Sequence, residues 1–303
     1  MVSKCPVLLL YLGILTLIFY DHEKLEASKI DKSVLASNSS NKVYPSSIIG
    51  GKETEPGEFK FIVTIDTTMT TGAGVTLKPN WIITGRHMIV SINKAKKVEF
   101  VRQRLKIYPK YTNNQGENRK RKHFEPEKLF CHPLPEKREF WWNSDIALIK
   151  LSESIAFGPP EDLKGIEIAS NSDSEQKDLP IRIAGWGKTD HRSDSGSRYL
   201  MAINTTRNPE SECGETYNNL IFPQIFCAGV DGKTVCQGDS GGPVITKSKR
   251  TGKEVLVGTV MGGPADCSDM GLFVNVSYYK PWIEKVMETE DPKFECSSIK
   301  PDK

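Results

Sequence analysis

From Ile48 onward the chain alternates short apolar runs with turn residues. Trp81-Ile82-Ile83-Thr84, Ile146-Ala147-Leu148-Ile149, Ile181-Arg182-Ile183-Ala184 and Val255-Leu256-Val257 have the length and β-branched content of strands, and Leu272-Phe273-Val274-Asn275-Val276 alternates with period two. Helical spacing emerges only near the end, in Pro281-Trp282-Ile283-Glu284-Lys285-Val286-Met287, where Pro sits near a helix start. The pattern predicts an all-β fold closed by one C-terminal α-helix. Before Ile48 the texture differs. Lys4 precedes a 16-residue apolar run, Cys5 to Tyr20, and the polar Asp21-His22-Glu23 follows it. The run is shorter than the ~20 residues a bilayer span needs, so residues 1–20 read as a secretory signal peptide, with a signal anchor as the alternative. Residues 21–47 are polar, Ser-rich and free of cysteine, which marks a disordered or cleavable leader.

Composition narrows the function classes. At 38% hydrophobic and 26% charged residues, a chain of 303 is neither wholly disordered nor a polytopic membrane protein. Lys+Arg at 41 against Asp+Glu at 38 is too balanced for a polyanion binder, so no nucleic-acid partner is expected. Of seven cysteines, Cys5 falls in the signal segment. The other six imply disulfides in an oxidising compartment, with 15 connectivities open. No pair has the C-x-x-C spacing of a zinc site, so no metal is expected. Sequons stand at Asn38, Asn204 and Asn275. Gly187-Lys188-Thr189 and Gly232-Lys233-Thr234 resemble phosphate-loop ends but lack the earlier glycine, since Arg182 and Cys227 stand there. The basic run Arg119 to Lys122 is flanked by Glu117, Glu125 and Glu127, as in a solvated loop.

The sharpest chemistry lies in Gly238-Asp239-Ser240-Gly241-Gly242-Pro243. A serine hydroxyl is a poor nucleophile and needs a base to take its proton. Flanking glycines let the backbone turn tightly, so that the N–H groups of Gly238 and Ser240 can face a developing oxyanion. Upstream lie Trp81-Ile82-Ile83-Thr84-Gly85-Arg86-His87 and Asn143-Ser144-Asp145-Ile146-Ala147-Leu148-Ile149-Lys150-Leu151. With these three segments in the order His, Asp, Ser, the chain resembles the secreted trypsin/chymotrypsin-like serine peptidases from Ile48 to about Met287. The resemblance implies two packed antiparallel six-stranded β-barrels with a C-terminal α-helix. The peptidase domain would run over 48–289, with one barrel at about 48–155, the other at about 165–276, the helix at about 278–288 and a tail at 290–303. His87 would be the general base and then acid, Asp145 would orient it, and Ser240 would form the acyl-enzyme.

Further expectations follow from the same resemblance. Ile48-Ile49-Gly50-Gly51 is similar to the N-terminus that such zymogens acquire on cleavage, which makes 21–47 a pro-segment and pairs the freed Ile48 ammonium with Asp239. Ser47 stands where family proenzymes usually carry Arg or Lys. Thr234 takes the base of the primary specificity pocket, Gly263 and Gly271 its walls, and Trp142 the neighbouring subsite. A neutral, open pocket implies cleavage after large apolar or aromatic residues rather than Arg or Lys. Two family bridges map to Cys213–Cys227 and Cys236–Cys267, and the remaining Cys131 and Cys296 pair by elimination. The usual bridge beside the histidine is replaced by Gly72 and Met88. Gly85 and Arg86 replace two alanines, and Arg86 either draws charge from His87 through Asp145 or points to solvent. Met261 stands for a serine that supports the aspartate, or, with a one-residue gap, for the groove tryptophan. The expected protein is a secreted, monomeric serine endopeptidase without metal or organic cofactor. It would act on polypeptide substrates, be met by proteinaceous peptidase inhibitors, and be free of the membrane after signal removal. A catalytically weak, peptidase-like binding protein is the alternative.

Overall fold

The computed structural model describes residues 48–298, except 68–69, 93–97, 101–104, 110–121, 134–143, 157–162, 177, 191, 218–222 and 231. The leader, the signal segment, Asn38 and Trp142 therefore lie outside the described residues. In chain order the strands are β1 (Lys52–Glu53), β2 (Ile62–Asp66), β3 (Thr71–Lys78), β4 (Trp81–Thr84), β5 (Val90–Ile92), β6 (Val98–Phe100), β7 (Lys106–Pro109) and β8 (Pro126–Cys131). They continue as β9 (Ala147–Leu151), β10 (Glu167–Ile168), β11 (Pro180–Gly185), β12 (Met201–Thr206), β13 (Ile225–Ala228), β14 (Pro243–Lys247), β15 (Glu254–Gly262) and β16 (Gly271–Asn275). The helices are α1 (Asn171–Ser174), α2 (Glu210–Thr216) and α3 (Lys280–Thr289).

Two curled sheets carry the fold, as the resemblance implies. The first has six antiparallel strands in the order β7-β2-β3-β4-β9-β8. The second has eight rather than six, in the order β1-β12-β11-β14-β15-β16-β13, with β10 parallel to β15. The two extra strands are two-residue pieces, β1 on β12 and β10 on β15. The helices α1 and α2 escape the sequence pattern because neither has an apolar stripe. The second buries only Cys213 and Gly214, and the Cys213–Cys227 disulfide ties it to β13.

The packing explains why so many strands read as continuous apolar runs. In β4, Ile82 packs inside the first sheet while Trp81 and Ile83 face a second cluster, and β9 splits the same way, Ala147 and Ile149 against Leu148. In the other sheet, Ile183 and Val257 line a third cluster, while Ala184, Ile245 and Leu256 join Ile83 and Val75. The shared cluster is thus an apolar seam between the two sheets. Strands buried on both faces need no polar alternation. At the seam's end, α3 inserts Ile283 and Val286. Its following residue, Glu290, meets Lys150 at 2.6 Å and Lys128 at 3.3 Å, and the Cys131–Cys296 disulfide joins the tail to β8. No helix among the described residues is long and apolar enough to cross a membrane.

Candidate active site

Sheet register brings the first two residues together. β4 pairs with β9 so that Thr84 faces Ala147, which sets the residues just after β4 beside those just before β9. His87, in the 3-10 turn Arg86–Met88, donates its backbone N–H to Asp145 Oδ1 at 2.8 Å, and its Nδ1 lies 2.7 Å from Asp145 Oδ2. That contact leaves Nε2 as the ring's outward nitrogen. The imidazole is 40% exposed and the carboxylate 9%, so one end of the pair meets solvent and the other does not. Burial raises the Asp145 carboxyl, but the charge and hydrogen bonds of His87, and then the charge of Arg86, hold it below its usual range. Burial pulls His87 down, yet the charge and hydrogen bond of Asp145 leave it above its ordinary value. Gly85 makes room for this pair: a β-carbon there would stand 2.8 Å from His87 Cε1 and 3.3 Å from Asp145 Oδ2.

The serine loop is pinned to the same sheet from the other side of the seam. Ala73 of β3 donates its N–H to the Ser240 carbonyl at 2.8 Å, and β3 neighbours β4. Gly241 has φ +76, and a β-carbon on it would lie 2.1 Å from the Ala73 carbonyl oxygen, so only glycine fits this close approach. Gly238 has φ +98. Within the loop, the N–H groups of Asp239, Gly241 and Gly242 each bond a backbone carbonyl, whereas those of Gly238 and Ser240 bond no acceptor among the described residues. Two free donors flanking a serine suit a developing oxyanion. No hydrogen bond joins Ser240 Oγ to His87 among the described residues; such bonds are often loose before substrate binds. Where a bridge beside the histidine would lie, Met88 fills the space: its Cε stands 2.7 Å from the β-carbon position of Gly72.

Asp239 is fully buried, and its carboxylate accepts the N–H of Gly187 at 2.7 Å and of Cys236 at 2.8 Å. Gly187, part of one phosphate-loop look-alike, is thereby occupied in holding a carboxylate. Burial pushes the Asp239 carboxyl up to about 7, against the pull of those two donors. Among the described residues no cationic side chain pairs with it. Ile48 is equally buried and packs with Val235 and Val260, while the Ile49 carbonyl accepts the N–H of Thr234 at 3.3 Å. The Ile-Ile-Gly-Gly segment is therefore laced to the segment that ends in Asp239 and Ser240.

Thr234 is buried, Gly271 is buried and Gly263 is exposed. The two glycines face each other, a β-carbon on Gly263 lying 3.5 Å from Gly271 Cα. Sequence reading missed Val235, whose γ-methyl lies 2.5 Å from the β-carbon position of Gly271 and 4.0 Å from that of Gly263. Its position beside Thr234 in the chain was the only signal. The Tyr217 hydroxyl donates to the Met270 carbonyl and so holds the wall that leads into Gly271. The Cys236–Cys267 bridge closes the region. A cavity of about 300 Å³ opens beside Gly238, lined in part by Thr70, Thr71, Lys188, Asp194 and Gln237. Met261 sits at a break in the β15–β16 register and packs on the seam cluster that holds Ile146. Of the basic run only Lys122 is described, 3.5 Å from Glu153. Among the described residues no cluster of three or more His, Cys, Asp or Glu forms a metal site.

Asn204 is exposed, but Asn275 is 6% exposed, donates its amide to the Pro223 carbonyl at 2.9 Å and sits with Ser277 in the interior. A glycan on Asn275 does not fit this fold, because strand β16 turns that side chain inward.

Two sheets joined over an apolar seam, with a histidine–aspartate pair and a glycine-framed serine segment beside it, define a chymotrypsin-like serine endopeptidase. The family model for trypsin matches residues 48–283, and the chain belongs to that family. It is 30% identical over 262 residues to the venom peptide isomerase heavy chain of Agelenopsis aperta, covering 79% of this chain and 100% of that one. It is 28% identical to CLIP domain-containing serine protease B4 of Anopheles gambiae, over 78% of this chain and 69% of that protein. Submandibular glandular kallikrein-9 of Rattus norvegicus is also 28% identical, over 82% of this chain and 92% of its own.

Proposed function

We propose that this serine endopeptidase is secreted, made as a zymogen and acts through an acyl-enzyme on Ser240. Ser240 Oγ attacks the scissile carbonyl carbon while His87 Nε2 takes its proton. Asp145 holds Nδ1–H and offsets the imidazolium charge. Gly238 and Ser240 N–H bind the oxyanion. Collapse then expels the amine, which receives the proton from His87, and water releases the acyl group by the reverse sequence. The observation that carries this reading is the pair of unbonded N–H groups at Gly238 and Ser240, in a loop whose other N–H groups are bonded.

The switch follows from charge. Signal peptide 1–20 and pro-segment 21–47 are removed, and cleavage after Ser47 frees the Ile48 ammonium. A buried carboxylate without a cation is costly, so the ammonium pairs with Asp239 and orders Gly238 beside it. Thr234, Gly263 and Gly271, together with Val235, form a neutral pocket for a large apolar or aromatic side chain, and Trp142 belongs by resemblance to the neighbouring subsite. Substrates are polypeptides, inhibitors are proteinaceous, and the enzyme is an extracellular monomer needing no cofactor.

A weakly catalytic binding protein is the second reading. It is favoured by Arg86, which is buried beside Asp145. Covalent labelling with a fluorophosphonate separates the two, on chain engineered to begin at Ile48, with Ser240→Ala as control. Stoichiometric labelling of Ser240 alone is expected. Absence of labelling on folded, disulfide-intact protein hands the site to the binding reading.

A further inference from the structure

Arg86 does not point to solvent. It opens the 3-10 turn that carries His87, is only 9% exposed, and its Nη1 is wholly inside. Its two chain neighbours flank the Asp145 carboxylate, His87 donating its N–H to Oδ1 at 2.8 Å and a β-carbon on Gly85 lying 3.3 Å from Oδ2, and groups from four elements interact with Arg86 electrostatically. Its own turn contributes His87, the segment before β9 contributes Asp145, the end of β8 contributes His132, and the start of α3 contributes Tyr279. His132 packs edge-on against Tyr279 at 4.9 Å and Trp282 at 5.3 Å. Tyr279 in turn packs against Tyr278 at 5.2 Å and hydrogen-bonds Ser144. Asp145 is the sole carboxylate among these groups.

We propose that Arg86 is a positioning residue whose buried guanidinium shares the Asp145 carboxylate with the His87 imidazole. Before reaction, Arg86 and Asp145 together carry no net charge, so the carboxylate has less attraction to spare for a proton on His87. Protonating His87 then places two cations around one buried anion, where charges are weakly screened. The guanidinium therefore opposes imidazolium formation and keeps the imidazole in its basic form to lower pH than the His87–Asp145 pair alone would. Electrostatics agree in direction. Arg86 pulls both His87 and His132 down and helps hold Asp145 ionised. Burial lowers the guanidinium itself, and Asp145 and Tyr279 offset part of that.

This inference rests on the proposed role of His87 as the base, but its test does not require turnover. In Ser240→Ala chain beginning at Ile48, with isotope-labelled histidine, the His87 imidazole is titrated by NMR in the parent and in Arg86→Gln and Arg86→Lys. Arg86→Met, which keeps the packing of the stem, replaces the Gln variant if that does not fold. Loss of the charge is expected to raise the His87 midpoint by about one unit, a tenfold change in proton affinity, while Arg86→Lys stays near the parent. An unmoved midpoint in the neutral variant, or an equal shift in Arg86→Lys, overturns the proposal. In the active enzyme the acid limb of kcat/KM moves with the midpoint, whereas a purely structural role lowers kcat and leaves the limb in place. If chain beginning at Ile48 with Ser240 intact neither turns over peptide nor labels at Ser240, the endopeptidase mechanism fails and the titration still decides the role of Arg86.

Discussion

The His87 ring lies in space that Gly85 leaves open: a β-carbon on Gly85 would stand 2.8 Å from ring Cε1 and 2.9 Å from Nδ1. A single methyl there requires the ring or its turn to shift. Gly85→Ala is expected to lower kcat/KM with little change in melting temperature, by less than the about 10²-fold that a ~1 Å misplacement of a catalytic group costs, because alanine is the residue the resembled family carries at this position. Peptide hydrolysis and a melting curve on the same preparation check it. Wild-type turnover would mean that the ring relaxes freely.

Asp239 links folding to pH in the intact chain. Its folded carboxyl sits at about 7 against an ordinary value near 3.8, so the folded state keeps a proton that the unfolded state has lost. Its contribution is whole below pH ~4 and falls as pH rises through about 7, with a slope approaching 1.4 kcal/mol per unit. Urea unfolding of uncleaved chain, catalytic serine replaced, is expected to show stability falling from pH 5 to 8. Asp239→Asn flattens that fall. In chain beginning at Ile48, the same substitution is expected to abolish labelling of Ser240.

The Cys131–Cys296 bridge closes a loop of 165 residues and fastens the tail to β8, far from the serine loop in sequence. Replacing both cysteines by alanine is expected to cost about 2–5 kcal/mol of stability by freeing the unfolded chain. At ambient temperature, fluorophosphonate labelling of Ser240 should persist. Loss of labelling in folded double mutant would instead tie the tail to the site.

The two described sequons behave differently because β12 and β16 turn them opposite ways. Asn204 is exposed, while the Asn275 amide is spent on Pro223. On secreted protein, Asn204→Gln is expected to remove one glycan mass by intact mass spectrometry, and Asn275→Gln to remove none. A glycopeptide spanning Asn275 sinks this account.

Much of this protein is written locally. Runs such as Trp81-Ile82-Ile83-Thr84 announce strands because β-branched and aromatic side chains suit an extended backbone, whichever face they later meet. The glycines around Ser240 are legible for the same reason, since a tight turn with positive φ is a property of a few consecutive residues. The three ordered segments, the Pro-led helix and the even cysteine count needed nothing beyond the chain's own order.

What the sequence left open depends on partners distant along the chain. Arg86 reads equally as a surface charge or a buried one until the fold leaves it only 9% exposed beside the His87–Asp145 pair. Asn275 reads as a sequon until Pro223 takes its amide, and Val235 as filler until Gly271 is brought against it. The alignment of Thr84 with Ala147, which places His87 on Asp145, is a matter of strand register, as is the Ala73 bond that pins Ser240 across the seam. Local residue identity determined which elements form and which side chains are chemically able. Only tertiary structure decided which of them meet, because burial and hydrogen bonding across the seam are set by both sheets at once.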